Sequence, residues 1–167
     1  MKDKVCIVTG ANAGIGLETA RELAQQGATV VMVCRNQERG SNAKAEIEKS
    51  TGSSTVHLLI ADLSSQKQIR ELAASFLSAF DRLDVLVNNA GVFMPKHQLT
   101  EDGYEATFAI NHLAYFLLTH LLLDVLKSTP HSRIVNVSSN AHQSAKIKFD
   151  ALEKVGSYNG YVAYGQS

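Results

Sequence analysis

Thr9-Gly10-Ala11-Asn12-Ala13-Gly14-Ile15-Gly16 joins an apolar run, Lys4-Val5-Cys6-Ile7-Val8-Thr9, to a segment with Ile15, Thr19, Leu23 and Ala24 at helical spacing. An apolar, β-branched run stopped by a glycine is what a parallel strand covered on both faces requires. Glycine lets the backbone take φ > 0 and approach a phosphate closely, while the unpaired amides and positive dipole end of the following helix attract the anion. A dinucleotide pyrophosphate meets that demand, so Gly10, Asn12, Gly14, Ile15 and Gly16 are candidate cofactor-binding residues. The spacing, G-x-x-x-G-x-G, differs from the common G-x-G-x-x-G fingerprint, and the mechanism carries the inference better than the pattern.

Outward from this turn the chain alternates. A helix is expected from Gly14 to Gln26, a strand from Ala28 to Cys34, a helix from Gln37 to Lys49 and a strand from Thr55 to Ala61. Ser65 with Gln68 reads as a capping box opening a helix to about Phe80, and Leu83 to Asn88 as a fourth strand. After a loop marked by Gly91 and Pro95, helical pieces cross Glu101 to Lys127, and Arg133 to Ser138 supplies a fifth strand. This alternation predicts an α/β fold: a doubly wound parallel sheet in three Rossmann-like α/β/α layers, with ligands at the carboxyl ends of the strands. The chain then runs irregularly and stops at Gly160-Tyr161-Val162-Ala163-Tyr164-Gly165-Gln166-Ser167, in the first turn of a helix. A few helical residues cannot bury a face. The expectation is therefore one dinucleotide-binding domain, 1–167, incomplete at its C-terminal side, where strands and helices are missing.

Composition narrows the class. Hydrophobic residues make up 45% and charged residues 19% of the 167, as in a globular chain. Lys plus Arg (16) balances Asp plus Glu (16), which argues against a nucleic-acid partner. Two cysteines, Cys6 and Cys34, are too few for a disulfide framework, and no signal-peptide pattern opens the chain, so a reducing, cytoplasmic location is expected. The apolar stretch Leu113 to Leu126 contains His120 and Asp124 and falls short of the ~20 residues of a membrane span; it reads as a buried or interface helix. The scattered histidines have no ligand spacing, so no metal is expected. Asn136-Val137-Ser138 fits a glycosylation sequon, but in a buried strand it is expected to be unused.

In dinucleotide folds the end of the second strand faces the adenosine ribose, and a carboxylate there favours NAD. Here the residues are Cys34-Arg35-Asn36. Arg35 offers bidentate bonds to a 2′-phosphate, Asn36 stands beside it, and Arg39 follows one helical turn later as a second cation, all of which favours NADP over NAD.

The ordered set Thr9-Gly10, Gly14-Ile15-Gly16, Asp62-Leu63, Asn88-Asn89-Ala90-Gly91, Asn111 and Asn136-Val137-Ser138-Ser139 resembles the short-chain dehydrogenase/reductase family over the whole chain. Within it, Cys34-Arg35-Asn36, Ser139-Asn140-Ala141-His142 and the long interval from Ser139 to Tyr164 look most like the retinol-dehydrogenase-like branch. The resemblance implies that Asp62 and Leu63 lie along the adenine and that Asn89, Ala90 and Gly91 support the adenosine side. It also implies that Asn111 holds a water of a proton relay and that Ser139, with Ser138 as alternative, bonds the substrate oxygen.

Carbonyl reduction needs a hydride donor, an acid for the developing alkoxide and hydrogen bonds that position the oxygen. A tyrosine serves as that acid when nearby positive charge lowers its pKa, by about 4 kcal/mol for three units. By the resemblance that tyrosine is Tyr164, and the charge comes from a lysine four residues later, at 168. Tyr158 and Tyr161 are rivals, but Val162 and Gly165 stand four residues after them. The implied function is NADP-dependent hydride transfer between nicotinamide and an apolar alcohol or carbonyl substrate. Val92-Phe93-Met94 and the stretch from His142 to Tyr161 would line the pocket, and the family pairs its apolar helices in homo-dimers or tetramers, which would leave Leu113 to Leu126 exposed in this chain. The alternatives are a non-catalytic NADP-binding sensor or interaction module, and an inactive fragment.

Overall fold

The side chains of β1 (Val5–Thr9) alternate between two faces, and both are covered, which is why the run is apolar without interruption. The computed structural model describes residues 1–147 and 158–167. On one face Cys6 and Val8 pack with Ala20 and Ala24 of α1 (Gly14–Gln25) and Ile47 of α2 (Gln37–Thr51). On the other, Val5 and Ile7 pack with Ile69, Leu72 and Phe76 of α3 (Gln66–Ala79), Leu118 of α5 (Ala114–Leu121) and Leu122. Between these two cores lies the predicted doubly wound sheet, wholly parallel, in the order β3-β2-β1-β4-β5, with β2 Thr29–Cys34, β3 Val56–Ile60, β4 Val85–Asn88 and β5 Arg133–Asn136. Ile7 stands opposite Val31 of β2 and Leu86 of β4. The connections run to opposite sides of β1, so the β1/β4 junction is the switch point, and a crevice opens beyond the carboxyl ends of these two strands.

Three expectations need correction. The helical pieces begin later than Glu101, at α4 (Ala106–Phe108), and continue through a π-turn (Ala109–Leu113), α5 and α6 (Leu123–Ser128). Residues 100–104 instead make a tight turn in which the Thr100 amide donates to the Tyr104 carbonyl at 2.8 Å. This turn frees Glu101 and Asp102 to reach the start of α3, where Ser65 Oγ donates to Glu101 and the Gln66 amide to Asp102. Second, Leu113 to Leu126 is not an exposed apolar helix: Ala114, Leu118, Leu122, Val125 and Leu126 are buried, and Phe116, 68% exposed, is its exposed large hydrophobic. Third, β5 is exposed along all four residues, so burial does not silence the sequon. The Asn136 side-chain oxygen accepts the Asn88 side-chain amide at 2.9 Å. The capping box at Ser65 is half formed: Ser65 Oγ accepts the Gln68 amide, while Gln68 Oε1 turns to the Asp62 amide at 2.9 Å.

The last element, α7 (Gly160–Gln166), is capped by Asn159, whose Oδ1 accepts the Tyr161 and Val162 amides. It sits so close to the loop after β4 that a Cβ on Gly160 would stand 2.5 Å from the Met94 carbonyl oxygen.

Candidate active site

The turn after β1 is held open by two glycines at positive φ, Gly10 at 67° and Gly14 at 55°, a conformation that side chains with a Cβ adopt poorly. Gly16 admits no side chain either, since its Cβ would meet Asn89 Nδ2 and stand 2.5 Å from the Gly10 carbonyl oxygen. Thr9 fastens this turn to the one after β4. Its Oγ1 accepts the amides of Asn89 at 2.9 Å and Ala90 at 3.0 Å, and its carbonyl accepts Asn89 Nδ2 at 2.8 Å. Thr9, in the sequence a flank of the glycines and part of the Thr9-Gly10 pattern, thus sets the spacing of the two turns.

Beyond these turns a cleft of about 520 Å³ opens, within the range of small-molecule sites. It is lined by Gly10, Asn12, Ile15 and Gly16 from the glycine turn and by Arg35 after β2. Asp62 and Leu63 after β3, Asn89, Ala90 and Gly91 after β4, and Tyr164 of α7 complete that wall among the expected residues. Val33, Val92, Phe93, Ile110 and Val137 line it as well, apolar positions that sequence reasoning did not single out as cofactor contacts. Gly14 has nothing within 4 Å of where its Cβ would be, leaving the helix start open. The residues fit a dinucleotide: a close-packed glycine cradle, an open helix N-terminus and an uncluttered wall running from Arg35 to Tyr164.

Three expected residues, Gly14, Asn36 and Arg39, lie off that wall. Asn36 caps α2, its Oδ1 accepting the Arg39 amide at 2.9 Å, and Arg39 is exposed on the first turn of that helix. Arg35 is exposed and has no acidic partner among the described residues. Asp62 is used locally, its Oδ1 accepting the Ser64 amide at 2.9 Å and hydroxyl at 2.7 Å.

A smaller cavity of about 120 Å³ adjoins the cleft through Asn89, Gly91 and Tyr164. It brings together Asn111, Ser138, Ser139 and Tyr164, with Tyr115, His142 and Ser167 around them. Asn111 lies in the π-turn, a wide turn frequent at functional sites. Its side chain mimics a strand: Oδ1 accepts the Val92 amide at 2.8 Å and Nδ2 donates to the Val92 carbonyl at 3.0 Å. Nδ2 also donates to Ser167 Oγ at 2.9 Å, so Asn111 ties the loop after β4 to the helix of Tyr164. Ser139 caps a 3₁₀ turn (Asn140–Ser144), accepting the Ala141 amide at 3.2 Å. Both Ser138 and Ser139 line the cavity. Burial, with Tyr164 facing it, pushes the Tyr115 phenol up to about 12, so Tyr115 stays a neutral donor.

The three C-terminal tyrosines separate cleanly. Tyr164 lines both cavities, Tyr161 is 80% exposed, and the Tyr158 hydroxyl is bonded to the loop after β4 and to Glu105. Phe93 bridges the first two, its ring centre 5.0 Å from that of Tyr161 and 5.8 Å from that of Tyr164. Of the stretch from His142 to Tyr161 expected to line a substrate pocket, residues 148–157 lie outside the described residues. Among the described residues no three His, Cys, Asp or Glu side chains are grouped to hold a metal ion, and no helix is long and apolar enough to cross a membrane. Burial pushes the thiols of Cys6 and Cys34 up to about 11, which leaves them protonated.

A family model described as short chain dehydrogenase matches residues 4–151. Retinol dehydrogenase 11 of Homo sapiens is 50% identical over 164 residues, 98% of this chain and 52% of that protein. Retinol dehydrogenase 13 of Homo sapiens is 47% identical over 165 residues, 98% of this chain and 50% of that protein. The chain thus spans about half the length of the curated relatives it matches. The crystal structure of an uncharacterized protein from Mycobacterium paratuberculosis superposes with a TM-score of 0.84 at 36% identity, over 99% of this chain and 57% of that one. That of a short chain dehydrogenase from Shigella flexneri 2a str. 301 complexed with NADP superposes with a TM-score of 0.78 at 28% identity, over 99% of this chain and 66% of that one.

Proposed function

The chain belongs to the short chain dehydrogenase family, and from that premise we propose that it is an NADP-dependent oxidoreductase acting on an apolar alcohol/carbonyl pair, within one dinucleotide-binding domain over 1–167. One observation carries the reading: Tyr164 lines the cofactor-sized cleft and also the smaller cavity that holds Ser139 and Asn111. A nicotinamide dinucleotide, when bound, supplies or takes up the hydride. In this reading the glycine turn and Asn12 hold the pyrophosphate, and Asp62, Leu63 and Asn89 to Gly91 border the adenosine side. Ser139 Oγ donates to the substrate oxygen, and Tyr164 Oη gives up or takes the proton there. Asn111, bonded to Val92 and Ser167, holds the two walls of the site at fixed spacing. The Phe93 and Tyr161 rings offer an aromatic wall beside Tyr164, which supports an apolar substrate.

Preference for NADP rests on Arg35, which lines the cleft and forms no ion pair among the described residues, and the NADP bound to the Shigella relative supports the same choice. Asn36 caps α2 just after Arg35, and the exposed Arg39 on the first turn of that helix is the second cation of this reading. The exposed Phe116 on α5 supports a homo-dimer or tetramer in the full-length form, and the two free buried thiols support a cytoplasmic setting.

Two variants test this. Tyr164→Phe should abolish NADPH-dependent reduction of aldehydes and ketones while leaving an NADPH fluorescence titration unchanged, and a near-normal kcat would remove Tyr164 from the chemistry. Arg35→Asp should raise the KM for NADPH and lower that for NADH, and an unchanged ratio of the two would remove the NADP assignment.

A further inference from the structure

Tyr158 has no role in the chemistry just described, yet among the described residues its hydroxyl has three polar partners. Its hydroxyl lies 2.9 Å from the Met94 carbonyl oxygen, 3.1 Å from Glu105 Oε1 and 3.4 Å from Thr107 Oγ1. The phenol carries one hydrogen, shared between the carbonyl and the carboxylate, while the Thr107 hydroxyl donates to the phenol oxygen. Burial, with the Glu105 carboxylate beside it, raises the phenol above its ordinary pKa, so it remains a donor. The edge of His97 packs on the ring at 5.3 Å.

Each partner leads to the active site. Met94 follows Phe93, whose ring lies against Tyr164, and Val92, whose amide and carbonyl are held by Asn111. Glu105 caps the helix that enters the π-turn, its two oxygens accepting the Thr107 and Phe108 amides at 2.9 and 2.8 Å. Tyr158 itself precedes α7, on which Tyr164 stands one and a half turns later, and Gly160 closes the same contact from the other side against Met94.

We propose that Tyr158 is a positioning residue: by fastening the loop after β4 to the first turn of the Asn111 helix, at the root of the helix bearing Tyr164, it sets the mutual placement of Phe93, Asn111 and Tyr164. This rests on the oxidoreductase reading above. Displacing reacting groups by a fraction of an ångström slows the chemical step without touching remote binding contacts, and the Arg35 end of the cleft is far from this latch in the chain.

The test compares wild type, Tyr158→Phe, Glu105→Gln and Glu105→Ala in the purified protein. Tyr158→Phe removes one hydroxyl and keeps the ring on His97. It should lower kcat about tenfold with the KM for NADPH within about twofold. Glu105→Gln keeps an acceptor for the phenol and should retain activity, while Glu105→Ala should lose it and show little further loss when combined with Tyr158→Phe. Amide hydrogen exchange of residues 92–98, read by mass spectrometry, should speed up in Tyr158→Phe but not in Glu105→Gln. A Tyr158→Phe protein with wild-type kcat overturns the positioning role, and one with unchanged exchange at 92–98 overturns the latch. If wild type reduces no carbonyl compound while still binding NADPH, it is the oxidoreductase reading that fails, and the exchange result alone then decides for or against the latch.

Discussion

Asp84, 3% exposed just before β4, receives Lys4 Nζ and Arg82 Nη2 on one carboxylate oxygen, and the Val5 amide and Arg82 Nε on the other. Burial by itself would raise its pKa, but the Arg82, Val5 and Lys4 bonds outweigh burial and hold the carboxyl well below the usual carboxylate range. A carboxyl depressed in the folded state stabilises above its unfolded pKa, near 4, and that contribution fades as pH falls through the folded value. The difference in unfolding free energy between wild type and Asp84→Asn should therefore be constant above about pH 5 and shrink in more acid solution. Urea titrations from pH 7 to pH 3 check this, and a difference that grows toward acid would contradict it. Neither this hub nor the Thr9 clasp was legible beforehand, because their partners lie some 80 positions away in the chain. Gly10, Arg35, Asn111 and Tyr164 were, because a special backbone conformation, a missing carboxylate, a polar residue in an apolar run and a family motif each leave a local mark.

At the scale of elements, α1 depends on a residue that helix propensity would replace. Ala is favoured over Gly in a helix by about 1 kcal/mol, so propensity alone argues that Gly16→Ala stabilises. The Cβ, however, would stand 2.5 Å from the Gly10 carbonyl oxygen and against Asn89 Nδ2, backbone and clasp that cannot both yield. The variant should melt lower than wild type and lose most of its NADPH affinity; a higher melting temperature with unchanged binding would refute this. Strands and helices up to β4 were readable within two or three residues because their periodicity is local. The turn at 100–104 and the π-turn were not, since each is fixed by contacts across the fold: Glu101 and Asp102 with α3, Asn111 with Val92.

For the whole molecule, the sheet order and the crevice at the switch point follow from alternation and right-handed crossovers, and so were legible. The exposure of β5 was not, because Ile134-Val135 has the composition of an interior strand. Ile134 is 42% and Val135 46% exposed, and β5 is an edge of the sheet among the described residues. Apolar, unguarded edges pair with other edges. Solutions of the 167-residue chain should show open-ended association that rises with concentration in sedimentation velocity, and Ile134→Lys should reduce it; a wild-type chain that stays monodisperse at high concentration would oppose this.

The crowding of phenols around the cleft has an optical consequence. The chain has five tyrosines and no tryptophan. Tyr115 and Tyr164 line the inner cavity, Tyr161 lies tilted against Phe93 and Tyr158 donates to the Met94 carbonyl, which leaves Tyr104 as the one phenol away from the site. Ultraviolet emission, in most proteins an average over scattered indoles, is here the signal of one neighbourhood, so a ligand entering the cleft announces itself without any attached dye.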